Sequence, residues 1–556
     1  MSIRERTEEA VKTYLGVTDL TPFQNSSDWD LHDPMELAGM DRLIVNLHEI
    51  HENPNAFLTV MSDYDTDGVM AAGILTGGLS RLGFRFGVWI PDMNDGYGIS
   101  VRSITKAMGR FPKTTAILTA DNGITAVSGV AYARSIGLTV LVTDHHPESG
   151  PLPNAHALVD PMQRKDRYPF SGISGATVAW KTLMAYAAQY EIEALPDIEK
   201  LQVFAGVSAV ADVMPMLDEN RYLVREAMAW FGGNDDMGPN LPHTGYELYD
   251  TVFKGLYELD RELGSTKNNP LPANEERISW YLSPLLNAPR RVHGSSLEAM
   301  MAILAPNKTV RHTAAHRLIE LNKEKSKMRD KALKEVKTPE LFAVIHAEKG
   351  IAGLVAAEIT KIRNAPSFVF VERNGWLSGS ARAPEGYSLK KILEEVNRVS
   401  PGLIKGGGHE GAAGVSLNAS DYEKAKRLTE HAIETIGIPS PTVETGVQIP
   451  VDLTGNTDGL TIDLANTYHL IETLRPFGKG FLDEPVLELK FGETLPNYNP
   501  DFWGGRGIKW SYNNAEVLTF NGKTANQIRN GVRKGFTGHI RKNTFRGKET
   551  MQIQLL

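Results

Sequence analysis

The sequence contains no cysteine among its 556 residues. Disulfide bonds, thiolate-bound zinc and cysteine nucleophiles are therefore excluded, and any metal ion must be held by Asp, Glu, His or backbone oxygen. No apolar run approaches the ~18 residues that span a bilayer, and the charged start MSIRERTEEAVKTYL is typical of an amphipathic helix, not of a signal peptide. Internal repeats and low-complexity tracts are also absent. We therefore expect a cytoplasmic protein with no membrane association.

The length and composition predict several globular domains. At about 100–200 residues per domain, the chain should hold about three to five units. Hydrophobic residues make up 41% and charged residues 23% of the sequence, which is ordinary for a folded protein. The 51 Gly and 30 Pro residues follow no short period, so a collagen-like fibre is excluded.

Negative charge outweighs positive charge in most of the chain, and the reverse holds at its end. From Asp501 onward there are ten Lys and Arg residues against three acids, a net charge of +7. Because the whole chain carries −8, the remainder carries −15. This asymmetry predicts an acidic body that gathers cations and a basic end that holds a polyanion. The alternative is an unevenly charged surface with no such role.

Alternating strand-like and helix-like segments predict an α/β fold. The short apolar runs FLTVMS (57–62), TTAILT (114–119) and LTVLVT (138–143) are followed by helix-like stretches, a pattern typical of a parallel sheet covered by helices. A helical stretch with a break near Pro306 leads to a second α/β block. In chain order we predict a helical extension (1–50), a catalytic α/β domain (51–235), an insertion with connecting helices (236–337, loop-like over 236–275), a second α/β domain (338–438) and a β-rich C-terminal domain (439–556).

Acidic residues follow each of the three predicted strands. Asp63, Asp65 and Asp67 follow the first, Asp121 the second, and Asp144 with His145 and His146 the third, while Asp212 ends a later apolar run. Ligands of open α/β sheets lie beyond the carboxyl ends of the strands, so these groups should converge. Ionised carboxylates at that density require cations, and Mn²⁺ or Mg²⁺ suits carboxylates with imidazoles. Each motif alone is equally typical of a turn or a helix N-cap; the four together favour a metal site.

The same motifs resemble a known family. DYDTDG, TADNGI, TDHH and AVADVMP, in this order, resemble the four motifs of the DHH phosphoesterase superfamily. The resemblance narrows to the RecJ single-strand exonucleases, in a compact form such as phages carry. It rests on these further segments: GYG (96–98), SPLLNAPRR (283–291), GSAR (379–382), GGGHEGAAG (406–414) and LRPFGKGFLDEP (474–485).

The resemblance implies roles for particular residues. The implied metal ligands are Asp63, Asp65, Asp67, Asp121, His145 and Asp212, with Asp121 as the bridging carboxylate. The implied catalytic residues are Asp121, His145, His146 and His409. His146 would contact the scissile phosphate or, alternatively, orient a ligand, and Asp144 would orient a histidine. The implied substrate-binding residues are Ser380, Arg382, Arg291, Asn287, Gly407, Gly408 and His409.

The resemblance also implies the activity and the fold. We expect a 5′–3′ exonuclease that degrades single-stranded DNA to nucleoside 5′-monophosphates in recombination, repair or replication. It would use two divalent ions, for which Mn²⁺ is the first candidate and Mg²⁺ the second. It would act as a monomer and work with a single-strand-binding protein or a helicase. A DHH parallel-sheet domain and a DHH-associated α/β domain, joined by a long helix, would precede a C-terminal OB fold.

Two further questions stay open at this point. The aromatic residues of the basic C-terminal segment would either stack on bases or form the β-barrel core: Trp503, Trp510, Tyr512, Phe536 and Phe545. The alternative functions are a DHH phosphodiesterase for short oligonucleotides or cyclic dinucleotides, and a non-catalytic replication scaffold. Intact metal motifs argue against the scaffold, and the basic end argues against a very small substrate.

Overall fold

The computed structural model divides into two compact units. The first comprises Met1–Trp89, Gly98–Leu282 and Thr445–Leu556, and the second comprises Ile90–Tyr97 and Ser283–Glu444. The structure describes residues 1–25, 31–92, 98–233, 241–263, 271–336, 338–408, 410–437, 446–455, 458–495, 499, 502, 504, 506–512, 515–545 and 548–556.

The N-terminal part of the first unit is helical. Helix α1 begins with a capping box, in which the Ser2 hydroxyl accepts from the Glu5 backbone and the Glu5 carboxylate accepts from the Ser2 backbone. It ends at Gly16, whose φ of 67° places it in the left-handed region that glycine tolerates. The helices here are α1 (Ile3–Leu15), α2 (Thr21–Gln24) and α3 (Met40–Glu52), with a 3-10 turn at Pro34–Glu36.

A five-stranded parallel sheet follows, in the spatial order β2-β1-β3-β4-β5. Every residue of β1 and β3 is buried, because helices cover both faces of the sheet. This confirms the predicted parallel α/β fold. The strands are β1 (Leu58–Ser62), β2 (Phe86–Trp89), β3 (Ala116–Ala120), β4 (Thr139–Thr143) and β5 (Ala157–Val159). The helices are α4 (Thr66–Arg81), α5 (Val101–Arg110), α6 (Val127–Ser135), α7 (Gly175–Tyr190), α8 (Leu195–Lys200), α9 (Gln202–Ala211) and α10 (Asp218–Gly232), with a 3-10 turn at Ile192–Ala194.

The loop predicted over 236–275 is wrong for its central part. Helix α11 (Glu247–Glu262) occupies it and buries Tyr249, Val252, Leu256 and Leu259. Their spacing of three and four residues is the ordinary helical signal; the surrounding Gly, Pro and Asn outweighed it in the composition. A π-helical segment, Arg277–Leu282, closes this part of the unit.

The second unit contains a five-stranded mixed sheet in the order β6-β7-β8-β10-β9. Its longest element is α15, a 28-residue helix that begins at the Asn307 cap, just after the predicted break at Pro306. The strands are β6 (Phe342–Val344), β7 (Ser367–Arg373), β8 (Trp376–Arg382), β9 (Lys405–Gly408) and β10 (Ala412–Asn418). The helices are α12 (Ser283–Leu286), α13 (Ala288–His293), α14 (Leu297–Leu304), α15 (Lys308–Glu335), α16 (Lys349–Arg363), α17 (Leu389–Val399) and α18 (Tyr422–Ile436), with a 3-10 turn at Ala419–Asp421.

The C-terminal part of the first unit is β-rich, as predicted. Six strands form one sheet in the order β11-β12-β15-β16-β14-β13; its assignment as an OB fold stays a prediction. The strands are β11 (Gln448–Leu453), β12 (Val486–Phe491), β13 (Ile508–Tyr512), β14 (Ala515–Thr519), β15 (Lys534–Phe545) and β16 (Lys548–Leu555), and the helices are α19 (Leu460–Leu474) and α20 (Gly522–Arg529).

The aromatic residues of this sheet were a candidate base-stacking surface. Trp510, Tyr512 and Phe536 are 0%, 7% and 6% exposed, so for these three the core alternative holds. Trp510 meets Phe491 edge to face with ring centroids 5.0 Å apart. Trp503 and the side chain of Phe545 lie outside the described residues.

Candidate active site

The predicted acidic residues lie at one edge of the parallel sheet. Asp63, Asp121 and Asp144 directly follow the neighbouring strands β1, β3 and β4, and the last residues of β1 and β3 pair in register. Asp65 caps α4 by accepting from the Gly68 backbone at 3.2 Å. Asp212 is the residue immediately after α9. The fold therefore brings the four sequence motifs to one place.

Asp67 is held by two helices that follow later in the chain. Its carboxylate accepts from the backbone nitrogens of Gly175 at 2.8 Å and Ala176 at 2.7 Å, the first residues of α7. The hydroxyl of Ser208, on α9, also donates to it. A helix N-terminus favours a negative group, so these bonds fix one carboxylate of the cluster. Among the described residues, no Lys or Arg pairs with it.

The surroundings of His145 indicate that the cluster requires positive charge. Its Nδ1 lies 3.0 Å from the carbonyl oxygen of Ile173, which can only accept, so Nδ1 carries the proton. Its Nε2 lies 3.1 Å from Asp121, 3.3 Å from Asp67 and 3.6 Å from Asp212. Burial lowers the pKa of His145, so the imidazole is neutral. A lone pair therefore points into three carboxylates, an arrangement that only a cation or a shared proton stabilises.

The carboxylates show the same need for positive charge. Burial, with the charges of Asp67, Asp65 and Asp63, raises the pKa of Asp121 well above its ordinary value. Burial and the charges of Asp67 and Asp65 raise the pKa of Asp212 to about 8. Asp212 therefore holds a proton at neutral pH unless a cation replaces it. Metal binding at such a site releases protons.

The residues fit divalent cations. Asp121 Oδ1 is buried and accepts no hydrogen bond from the described residues. Bonds of about 2.0–2.1 Å to an octahedral ion place adjacent ligand atoms about 3 Å apart, close to the separations around His145. Asp121 belongs to two of the groups that can hold an ion, a position suited to a bridging ligand; the bridging role stays a prediction. The groups at this edge of the sheet are Asp121, His145 and His146; Asp67, His145 and Asp212; and Asp63, Asp65 and Asp121.

The backbone at Asp121 adopts a strained conformation. Its φ of 61° is in the left-handed region, which is uncommon for a residue with a side chain and is typical of functional sites. Gly175 lies against it, because a Cβ at Gly175 would come within 2.6 Å of the Asp121 Cβ. Close packing against Asp121 therefore requires glycine at position 175.

His146 forms a pair with Asp144. Its Nδ1 lies 2.7 Å from Asp144 Oδ1, and the other Asp144 oxygen accepts from the Ile124 backbone at 2.8 Å. Burial alone would lower the pKa of His146, but the hydrogen bond and charge of Asp144, with Asp63 and Asp212, raise it to about 9. His146 is therefore an imidazolium at neutral pH, and Asp144 orients it.

Ser380 and Arg382, on β8 of the second unit, form a separate cationic site. Arg382 donates to the Ser380 hydroxyl at 2.6 Å and to the Ala381 carbonyl at 2.8 Å. Burial and the nearby charge of Arg291 lower the pKa of Arg382 to about 10. Among the residues that the structure describes, no carboxylate pairs with Arg382. The guanidinium groups of Arg382 and Arg291 are suited to bind a phosphate, because no described carboxylate neutralises Arg382.

Helix α16 lies between the two arginines. A Cβ at Gly353 would come within 3.0 Å of the Arg382 guanidinium, and a Cβ at Gly350 would come within 2.5 Å of the Arg291 backbone. Arg291 also donates to the Gly350 carbonyl at 3.4 Å. The first turns of α16 therefore face both side chains, and a helix N-terminus adds to their attraction for an anion.

The other predicted substrate-binding residues lie in the same unit. Asn287 donates to the Ser283 hydroxyl at 3.2 Å. Gly407, on β9, and Ser380, on β8, both pair with Gly414 of β10, so they share one rung of the sheet. A Cβ at Gly408 would come within 2.3 Å of the Ala412 carbonyl oxygen, so strand packing already requires this glycine. His409 lies outside the described residues.

Sequence reasoning missed two polar residues of these sites. Ser208 lies four residues before Asp212 and is a hydroxyl in an otherwise apolar helix. Lys325, on α15, continues the buried stripe of Leu318 and Leu321, and only 8% of it is exposed. Burial and the charges of Arg291 and Arg329 lower its pKa to about 8. A single polar residue on an apolar helix face was the available signal in both cases.

Comparison with known families matches both α/β parts of the chain. Residues 58–206 match the DHH family N-terminal domain, and residues 339–437 match the DHHA1 domain. In the described part of the chain, no helix is both long and apolar enough to cross a membrane. The chain thus combines a DHH N-terminal domain with a DHHA1 domain.

Similar proteins narrow the family. The chain is 30% identical over 471 residues to the single-stranded-DNA-specific exonuclease RecJ of Bacillus subtilis, covering 82% of this chain but 55% of that relative. It is 25% identical to the Escherichia coli RecJ, covering 93% of this chain and 90% of the relative. The structure of Thermus thermophilus RecJ in complex with Mn²⁺ matches with a TM-score of 0.72 at 21% identity, covering 100% of this chain and 76% of that one. The chain is thus similar to RecJ proteins over most of its length.

Proposed function

We propose that the protein is a metal-dependent 5′–3′ exonuclease that hydrolyses single-stranded DNA to nucleoside 5′-monophosphates in recombination, repair or replication. The observation that carries this proposal is His145 Nε2 lying within 3.6 Å of carboxylate oxygens of Asp67, Asp121 and Asp212. The relatives from Bacillus subtilis and Escherichia coli are named single-stranded-DNA-specific exonucleases.

The metal centre would carry out the hydrolysis. Two divalent cations, with Mn²⁺ as the first candidate and Mg²⁺ as the second, would supply an activated water when bound and would stabilise charge in an in-line displacement at phosphorus. The water oxygen bonds to phosphorus, and the bond to the 3′-oxygen of the terminal nucleotide breaks. His146, protonated and held by Asp144, is suited to donate its proton to that leaving oxygen. Asp63, Asp65, Asp67, Asp121, His145 and Asp212 would hold the ions.

The cationic site of the second unit would take the terminal 5′-phosphate. Arg382, Arg291 and Ser380 offer guanidinium and hydroxyl donors around the start of α16. Asn287, Gly407, Gly408 and His409 are proposed as further contacts to the first nucleotide. An exonuclease must recognise an end, and a terminal phosphate differs from an internal one in charge and in the number of free oxygens.

The same proposal defines the partners and the location. Because the substrate is single-stranded DNA, we propose that the protein works in the cytoplasm as a monomer. A single-strand-binding protein or a helicase, each of which handles such strands, is the proposed partner.

A labelled-strand assay tests the function. A single strand with a 5′ label should release labelled mononucleotide first in Mn²⁺, whereas the same strand with a 3′ label should shorten stepwise. EDTA should abolish both reactions. Cleavage of a dinucleotide or cyclic dinucleotide but not of the long strand would favour the small-substrate alternative. Strand binding without cleavage in either metal would favour the scaffold, and release from the 3′ end would contradict the polarity.

A further inference from the structure

A tight turn of the C-terminal region packs against the loop that follows Asp212. Within the turn, the Gly478 backbone donates to the Leu482 carbonyl at 3.0 Å, and the Phe481 backbone donates to the Gly478 carbonyl at 3.1 Å. The Met216 backbone donates to the Lys479 carbonyl at 2.8 Å. This bond joins the two segments at Lys479.

Two glycines make this contact close. Gly478 has a φ of +146°, and a Cβ there would come within 2.9 Å of the Met216 side chain. Gly480 has a φ of +78°, and a Cβ there would come within 3.3 Å of Leu217. Neither backbone conformation suits a residue with a side chain. The turn therefore has little freedom to move relative to the loop after Asp212.

A buried arginine fixes the turn from its other side. The Arg221 guanidinium lies 3.9 Å over the ring of Phe481. It also donates to the carbonyl oxygens of Leu474 and Pro476, each at 2.9 Å. Arg221 is on α10, just after the same loop, and is 7% exposed. The position of Lys479 is therefore set by buried contacts although its own side chain is exposed.

Lys479 lies near the predicted metal ligand Asp212. Its carbonyl accepts from Met216, four residues after Asp212, and the charge of its ammonium reaches the Asp212 carboxylate. Among the described residues, Lys479 forms no ion pair. A protonated ammonium cannot bind a metal ion, but it can donate to a phosphate oxygen. An exposed ammonium beside a cation-binding cluster is thus placed for a substrate that carries phosphates.

We propose that Lys479 is a substrate-contacting residue, whose ammonium binds a phosphate of the single strand beside the metal centre at Asp212. The C-terminal region would then contribute to the reaction site itself, and its role would not be limited to holding the distant part of the strand. This inference rests on the proposed function. It adds a residue and a region to it.

The test compares three variants of the full-length protein. Lys479→Met removes the charge, Lys479→Arg keeps it, and Lys490→Met is the matched control. Lys490 is an exposed lysine of the same C-terminal region that pairs with Asp452 at 3.3 Å. Binding of a fluorescent single strand is measured in EDTA across a salt series, kcat and KM are measured in Mn²⁺, and Mn²⁺ binding is measured by electron paramagnetic resonance.

The expected pattern is specific to Lys479. Lys479→Met should reduce the slope of log affinity against log salt by about 0.7, the value for one lost phosphate contact on a single strand. It should lower kcat/KM by about tenfold or more, as expected for a lost charged hydrogen bond. Lys479→Arg should recover most of both. Mn²⁺ binding should not weaken, since removal of a positive neighbour favours cation binding.

Three results would overturn the inference. Equal losses in Lys479→Met and Lys490→Met would show general attraction of the strand to the surface. An unchanged salt slope would show that no phosphate contact was lost, and weaker Mn²⁺ binding would show that Lys479 acts through the loop of Asp212. If the wild type bound strands with a Lys479-dependent slope but cleaved none, the exonuclease proposal would fail and the phosphate contact would stand.

Discussion

The Nε2 atom of His145 lies 3.1 Å from Oδ1 of Asp121 inside a buried cluster. The imidazole Nδ1–H donates a hydrogen bond to the Ile173 carbonyl, so the Nε2 lone pair faces the carboxylate. Such a contact is stable only with positive charge between the two atoms, either a proton or a metal ion. The raised pKa of Asp121 has the same cause. The choice between proton and metal therefore determines both stability and activity.

Replacing Asp121 with asparagine should separate stability from activity. The folded pKa of Asp121 lies above its unfolded value. The metal-free wild type therefore loses stability as pH rises from the unfolded pKa to the folded pKa of this carboxyl. Asp121→Asn removes that loss, and its Tm in EDTA at pH 8 should exceed that of the wild type. Mn²⁺ should raise the Tm of the wild type more than that of the variant, and cleavage by the variant should be abolished while strand binding persists.

The measurements are thermal unfolding with and without Mn²⁺, and strand cleavage at saturating Mn²⁺. Near-normal turnover by the variant would contradict the role of Asp121 at the metal centre. A lower Tm in EDTA would contradict the electrostatic argument separately.

Substitution of Gly175 should damage the metal centre without removing a ligand. A Cβ at this position would come within 2.6 Å of the Asp121 Cβ, so Gly175→Ala must displace Asp121 or the start of α7. We expect Mn²⁺ affinity to fall by at least about tenfold, which corresponds to about 1.4 kcal/mol. Calorimetric titration with Mn²⁺ measures this.

Gly109 provides the control for Gly175. It is on α5, and a Cβ there would meet no atom within 4 Å. Gly109→Ala should leave Mn²⁺ affinity unchanged and stabilise the helix by up to about 1 kcal/mol. If both variants bound Mn²⁺ like the wild type, the close packing of Gly175 would have no bearing on the site.

Arg382 should discriminate between strand ends. We expect Arg382→Ala to slow degradation of 5′-phosphorylated strands by roughly ten- to a hundredfold, the loss of about 1.5–3 kcal/mol from a charged hydrogen bond. Strands with a 5′-hydroxyl should be affected less. Competition between the two strands in one reaction measures the ratio. Arg373→Ala is the control, since Arg373 is in the same sheet but pairs with Glu348 at 2.7 Å. Equal slowing of both strands by Arg382→Ala would make Arg382 a general strand contact.

Lys325 should make stability depend on pH in the alkaline range. Its folded pKa of about 8 lies below its ordinary value of 10.5 because of burial and the charges of Arg291 and Arg329. The folded state therefore binds fewer protons between these values, and the resulting destabilisation is full below pH 8 and disappears as pH rises towards 10.5. Lys325→Met should be more stable than the wild type at pH 7 by about 1–3 kcal/mol, partly offset by the lost hydrogen bond to the Pro284 carbonyl.

Urea unfolding at pH 7 and pH 10 measures this difference. The advantage of the variant should shrink at the higher pH, and an advantage that is equal at both pH values would refute the titration of Lys325. Phosphate should also stabilise the wild type more than the variant, if the charge of Lys325 helps to attract an anion to Arg291 and Arg382.

The sequence by itself determined the class of fold and the family. Short β-branched runs ending in acid are sufficient to predict a parallel sheet and the convergence of Asp63, Asp121 and Asp144, because carboxyl ends of parallel strands share one edge. The RecJ resemblance was confirmed by the comparisons. The metal-ligand and substrate-binding roles stay predictions, and so do the domain boundaries.

The tertiary structure decided what depends on burial and on contacts distant in sequence. It shows a helix at residues 247–262, where a loop was predicted. It also places Trp510, Tyr512 and Phe536 in the core. Composition could not decide this, because an aromatic side chain is equally suited to pack in a core and to stack on a base. It also brought Lys479 near Asp212, although the two are far apart in the sequence, and Arg291 near Arg382. No local pattern encodes these pairs, since the electrostatic interaction of two side chains depends on their separation in space and on exclusion of water.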